Sequence, residues 1–206
     1  MLRKWVLIFG ILMAGSSYGQ KDTREIIDAA KIEKINIDTD EVYLITIITT
    51  NSSEIRISTH SEGEYFNEIF LRTRVGEQQL EIFSEYPERL TGGFDKLSAH
   101  KVFSLEIFLE IPIGMEINVN SNIASLKASG DYKAIYANLK QGYCDLKNYT
   151  GNAVINTYTG NILVETSSGL IEAKSRNGSV VIPDFIPGRN PIKLNSIDGD
   201  IKVIKN

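Results

Sequence analysis

The sequence predicts an all-β protein: an N-terminal β-rich region followed by a C-terminal parallel β-solenoid of about five 18-residue coils, two strands to a coil. Three observations predict it. Gly142, Gly151, Gly160, Gly169 and Gly178 stand nine residues apart. The segments between them alternate apolar and polar residues, and apolar positions recur in register at twice the glycine interval. Such a period is the mark of stacked strand–turn units that bury one face against their neighbours.

The first element is a leader. Residues 1–19 carry a basic start (Arg3, Lys4), an apolar run from Trp5 to Ala14, and small residues Ser17 and Gly19 placed three and one before a cut preceding Gln20. That order is a secretory signal peptide. The apolar run is shorter than the about 20 residues a transmembrane helix needs, so no stable membrane span is expected after cleavage. The expected location is outside the cytoplasm, in the periplasm, at the cell surface or extracellular. Without Arg3 and Lys4 the chain holds 20 basic and 26 acidic residues, a formal charge of −6. That balance argues against nucleic acid as a partner. Cys144 is the only cysteine, so no internal disulfide is available and the fold must rest on its core.

The second element, residues 20–115, reads as short strands: Ile35 to Ile37, Tyr43 to Ile48, Ile55 to Ile57, Ile69 to Leu71, Leu80 to Phe83 and Val102 to Ile111. Val75-Gly76-Glu77-Gln78 sits where a hairpin turn is expected. Glu85 to Lys101, with Pro87, Gly92 and Gly93, reads as a long loop, and His100 as the approach to the next strand. Thr23 to Lys31 has helical spacing with Asp22 or Thr23 as cap, which predicts a short leading helix.

The third element is the repeat region, 116–206. Taking Gly142, Gly160, Gly178 and Gly199 as equivalent, the residues seven, five and three before each mark are Ile135, Ala137, Leu139; Ala153, Ile155, Thr157; Ile171, Ala173, Ser175; and Ile192, Leu194, Ser196. These are expected to point inward. One period earlier lie Ile117, Val119 and Ser121, with Ala124 in the glycine place. The second strand of each coil buries the residues two and four after the mark: Leu126 and Ala128, Cys144 and Leu146, Ile162 and Val164, Val180 and Ile182, Ile201 and Val203. Stacked at about 4.8 Å per strand, five coils would be roughly 20–24 Å long. Pro183 to Pro191 must leave the sheet, because proline cannot donate to the ladder.

Leu105-Glu106-Ile107-Phe108-Leu109-Glu110-Ile111-Pro112-Ile113-Gly114, followed by repeats of the kind Asp198-Gly199-Asp200-Ile201, resembles the bacterial β-strand-repeat family of adhesin-like proteins. That family is similar to auto-transporter adhesin head (GIN) domains. The Ser-Tyr-Gly-Gln end of the leader also looks like that of Bacteroidetes envelope proteins. The resemblance implies a β-solenoid in the cell envelope and carries over no catalytic residue. This chain departs from the pattern at Lys133, in a turn-glycine position, and at Gly130, off register.

No enzyme or cofactor is predicted. Cys144 takes an inward place held by Ile162, Val180 and Ile201 in other coils, which makes it a core residue. His60 and His100 lack zinc-ligand spacing. Asp198-Gly-Asp200 reads as a turn, since the Gly-Gly-x-Gly-x-Asp repeat of calcium-binding β-rolls is absent from the sequence. No Gly-x-Ser-x-Gly elbow or phosphate loop is present. Asp145, Glu165 and Glu172 take outward positions, where solvation is expected.

One outward column stands out: Asn120, Asn138, Asn156 and Asn195 fall four before each mark, with Lys174 as the exception. A ladder of stacked amides explains it. A binding face is the alternative, made of Tyr136, Asn138, Asn156, Tyr158, Lys174 and Arg176, whose rings, amides and charges suit a glycan or an anionic polymer. The functional expectation is an adhesin-like, scaffolding or interaction module whose partner is an envelope protein or glycan. A glycan-binding module is the alternative. A carbohydrate-active β-helix enzyme would need clustered outward acids, which this chain scatters.

Overall fold

The computed structural model describes residues 20–63, 70–85, 103–184 and 186–206, and every described element is a strand or a turn. The leader, His100 and nearly all of the expected loop after Glu85 lie outside the described residues.

Alternating sequences bury one face, and here two walls of strands turn their apolar faces towards one another across a single core. The first wall contains β2 (Lys34–Asp38), β8 (Glu116–Ser121), the second halves of β9 (Ser125–Gln141) and β10 (Cys144–Thr159), then β14 (Pro191–Asp198) and β12 (Leu170–Ser175), all parallel. The second contains β3 (Leu44–Thr50), the first halves of β9 and β10, then β11 (Ile162–Thr166), β15 (Ile201–Lys205) and β13 (Val180–Val181), also parallel. The long strands β9 and β10 run from one wall into the other, so hydrogen bonding joins the 15 strands of the described residues into one sheet. In β9 the change of wall falls at Gly130, with φ 110°.

Towards the N-terminal end, β6 (Gln79–Glu85) lies parallel to β2 and β7 (Phe103–Pro112) parallel to β3, so the walls continue across residue 115. Antiparallel strands finish this end: β5 (Phe70–Val75) on β6, β4 (Glu54–Gly63) on β7, and β1 (Gln20–Asp28) on β4. The hairpin turn falls where expected, with the Gly76 N–H donating to the Gln79 carbonyl at 2.9 Å and Gln78 at φ 60°.

The expected helix over Thr23 to Lys31 is a strand instead. β1 is mostly exposed, so no burial imposes a two-residue alternation on its sequence. Backbone pairing with the free edge of β4, from Gln20↔Glu62 to Asp28↔Glu54, decides its conformation.

The 18-residue step is present where the pairings run Ile117↔Ile135↔Ala153 and Leu126↔Cys144↔Ile162. The order then departs from the sequence. Ala153 pairs with Ile192, and Ile171 lies beyond it on Ile192. Likewise Ile162 pairs with Ile201, and Val180 lies beyond Ile201. The last two units of the chain are therefore exchanged in the stack. The glycines record the same order: a Cβ on Gly160 would sit 1.8 Å from the Gly142 carbonyl oxygen, one on Gly199 would meet that of Gly160 at 2.1 Å, and one on Gly178 that of Gly199 at 2.1 Å.

Burial explains the exchange. The two rungs differ in bulk at one inward pair, Leu194 against Ala173, and in the inner position Leu194 is fully covered. Each additional buried methylene stabilises by about 0.8 kcal/mol, so the heavier rung gains more from the inner seat. The stretch between β13 and β14, irregular over 182–184 and 186–190, gives the chain the length to step around β12 and return inside it. As a result Val180 and Ile182, expected inside, are exposed, and Ile171 and Ala173 are half-buried. The other inward positions named from the sequence are buried, apart from the half-buried Ser175.

Small hydroxyls close the corners between walls. The Val42 N–H donates to Thr39 Oγ1 at 3.2 Å, Ala124 N–H to Ser121 Oγ at 3.0 Å and Gly178 N–H to Ser175 Oγ at 2.9 Å. These buried or half-buried oxygens satisfy amides that the turn takes out of the ladder.

Candidate functional site

The outward side chains of the first wall form columns at right angles to the strands. The central one runs Asp38, Asn120, Asn138, Asn156, Asn195 and Lys174, each paired with the next. Within it Asn138, Asn156 and Asn195 each donate Nδ2 to Oδ1 of the preceding asparagine at 2.9 Å. The amide ladder is therefore real, and it fixes the orientation of every carboxamide. A second ladder lies one column over, where Asn118 donates to Asn36 at 2.9 Å and Asn36 to Gln79 at 3.3 Å. Tyr136 follows Asn118 there and ends it, because a phenol ring cannot continue the amide chain.

Beside the main ladder runs an open groove of about 480 Å³. Asn138, Asn156 and Tyr158 line it, with Lys140 on the same side and Asp38 and Asp40 at its N-terminal end. Of the residues singled out in the sequence, Tyr158 is 54% exposed in the groove and Tyr136 is 40% exposed one column away. Lys174 and Arg176 do not sit beside Asn156 and Tyr158, because β14 intervenes and Lys174 meets Asn195. The acidic end was missed: Asp38 lies beside Asn120 although 82 residues separate them, and β2 carries no glycine mark that would announce the relation. The groove thus runs from two carboxylates past amides and a ring, with two cations beyond its far end.

The acidic turn at Asp198 and Asp200 has partners that account for it. Asp200 Oδ1 accepts from the Ser179 N–H and Oγ, both at 2.7 Å, and these bonds hold its carboxyl below the usual range. Asp198 accepts from Asn177 Nδ2 at 2.5 Å, so this acidic turn ties adjacent rungs together. Cys144 is buried in the core, and burial pushes its thiol well above the ordinary value. Asp145 is not a solvated surface carboxylate: it is largely covered, Oδ2 lies 3.6 Å from Lys147 Nζ, and Oδ1 has no hydrogen-bond partner among the described residues.

Tyr132 and Tyr149, unlike the surface tyrosines, are buried and stacked at 5.7 Å, where β9 and β10 change walls. The Tyr132 hydroxyl donates to the Ile47 carbonyl at 2.9 Å and that of Tyr149 to the Asn152 carbonyl. Burial raises both phenols. At the opposite end His60 sits between carboxylates, Nδ1 2.6 Å from Asp22 and Nε2 2.9 Å from Glu62. The bond to Asp22, then that to Glu62, raises its pKa. Among the described residues no group of three His, Cys, Asp or Glu side chains is placed to hold a metal ion.

Fold and site together define an all-β stack of rungs with a polar face. No protein-family model and no curated protein sequence matches the chain. Solved structures do. The chain is similar to a "putative cell adhesion protein" from Clostridium sporogenes, at 18% identity over 91% of this chain and 100% of that one, with a TM-score of 0.66. A "putative adhesin" from Bacteroides fragilis aligns at 13% identity over 90% and 97% of the two chains, with a TM-score of 0.38. At 18% identity the Clostridium likeness establishes a shared fold along nearly the whole chain.

Proposed function

We propose that the protein is a non-enzymatic, exported β-solenoid module of the bacterial cell envelope, adhesin-like in that it works by presenting an extended surface to another macromolecule. The leader supports export and cleavage before Gln20. The GIN-type sequence resemblance and the fold likeness to a solved protein described as a cell adhesion protein agree with the reading.

The observation that carries the reading is the ladder from Asn120 to Asn195 with its groove. Its amides are held in place before any ligand arrives, so little ordering entropy is lost on binding. A long, open strip suits an extended polymer better than a small metabolite, which prefers a concave enclosure. A glycan-binding module is the second reading, favoured by Tyr158, whose exposed ring lies beside amide donors and acceptors.

Residues 20–206 tested on a glycan array, and by pull-down from envelope fractions, decide between glycan and protein partners. Retention is expected to weaken with salt, because exposed cations flank the strip. The double change Tyr136→Ala, Tyr158→Ala is expected to abolish glycan retention and leave the melting temperature unchanged, since both rings face solvent. Glycan retention that survives it would remove this face from consideration.

A further inference from the structure

The C-terminal end of the stack is unfinished. β12 pairs only with β14 and β13 only with β15, so each wall ends on a strand whose second edge has no partner among the described residues. Positions that are covered in the inner rungs are open here: Val180 is 39% and Ile182 46% exposed. Ile171 and Ala173 are covered from one side only. The loop after β13 shields just the start of the edge, where the Gly169 N–H donates to the Pro187 carbonyl at 2.9 Å. From Ile171 to Ser175 the strand has no proline, no bulge and no inward-pointing charge to keep the edge single, and its outward charges, Glu172 and Lys174, are of opposite sign.

We infer that this end is a homodimer interface, in which β12 pairs antiparallel with β12 of a second copy about a two-fold axis through Ala173. The sequence of the strand selects both the occupant and the register. An antiparallel pair must keep inward residues opposite inward residues, so the register can shift only in steps of two. With the axis at Ala173, Glu172 faces Lys174 of the second copy on both sides of it, and Ile171 faces Ser175 within the joined core. One step in either direction places Glu172 opposite Glu172, or Lys174 opposite Lys174, which directly opposed strands disfavour. The strand is thus self-complementary in one register, as a two-fold interface requires. The two open ends of the core would then cover each other.

Sedimentation equilibrium on residues 20–206 tests this with charge reversals. Glu172 and Lys174 are both exposed, so reversing either charge leaves the core untouched. The wild type is expected to be a dimer. Glu172→Lys and Lys174→Glu each set like charges face to face twice and are expected to raise the dissociation constant by about tenfold or more. The double variant Glu172→Lys, Lys174→Glu restores opposite charges across the axis and is expected to recover the dimer. Lys174→Glu is the cleaner single change, because Glu172 also lies 3.7 Å from Lys193 of its own chain. A monomeric wild type, assembly that grows beyond two copies, or a double variant no better than its parents would each overturn the inference.

Discussion

The two ends of the stack solve the same physical problem differently. At the N-terminal end the strand direction reverses: β5 folds back on β6, and β4 and β1 run out from β7 as an antiparallel ribbon. These strands turn charge outward, with Arg72 on Glu85 at 2.9 Å, Arg74 on Glu81 at 3.3 Å and His60 between two carboxylates. Charge and reversal blunt an edge. At the C-terminal end β12 and β13 keep the direction of the wall and expose the core side of their rung. The difference shows how the chain limits the cost of an open end. Its outermost rung is its lightest, Ile171, Ala173 and Ser175 where the rung inside it has Ile192, Leu194 and Ser196.

The largest effect that should separate inner from outer rungs comes from charge. Ile155→Asp is expected to destabilise by more than about 4 kcal/mol, because the site is fully enclosed and offers the carboxylate no partner. Ala173→Asp, on the half-open rung, is expected to lose only about 1–2 kcal/mol, since the charge can turn to water. Urea denaturation in the Lys174→Glu background, which keeps the end uncovered, makes the comparison. Equal losses would mean that the outer rung is as enclosed as the inner ones.

A smaller contrast comes from deleting methyl groups. Val164→Ala removes two from the sealed core and is expected to lower stability by about 2 kcal/mol. Val180→Ala, already exposed, is expected to change it by under about 0.5 kcal/mol. The same denaturation series measures both.

The smallest effect lies at the other end. The pKa of His60 is raised in the folded state by Asp22 on β1 and Glu62 on β4, and Glu106 on β7 occupies the paired position beyond it. A raised value means that the folded state holds the proton more tightly. The stabilisation is therefore complete below the unfolded pKa, about 6.5, and is lost as pH rises through the higher folded value. Amide exchange in β1, corrected for the intrinsic rate, should be slower at pH 5 than at pH 8, and His60→Gln should remove the difference. A pH-independent β1 would show that its backbone ladder alone holds the strand.

The sequence was most legible where one chain segment repeats onto the next. From Ile117 to Val164 the inward positions follow directly from the 18-residue period, because every rung there meets the rung before it. Periodicity carries no information about order, however. Ile171 and Ile192 have the same pattern around them, and only the relative bulk of Ala173 and Leu194 hints at which is enclosed. The ladder could be read from its four asparagines, whereas the acidic end of the groove could not, since Asp38 reaches Asn120 through a pairing between distant segments. β1 was misread for a related reason: an exposed edge strand is free to carry a sequence with helical spacing.

The exchanged order of the last two rungs has a consequence for how the molecule is made. A chain emerging from its amino terminus can lay β8 to β11 down in the order of synthesis, each on a surface already present. β12 and β13 emerge next, but the strands they rest on, β14 and β15, follow them in the chain. The outer rung must wait for residues 191–205, then settle around a segment made after it. A chain stalled before residue 191 lacks the seat for β12 and β13, so the outer rung is in place only once β14 and β15 have been made.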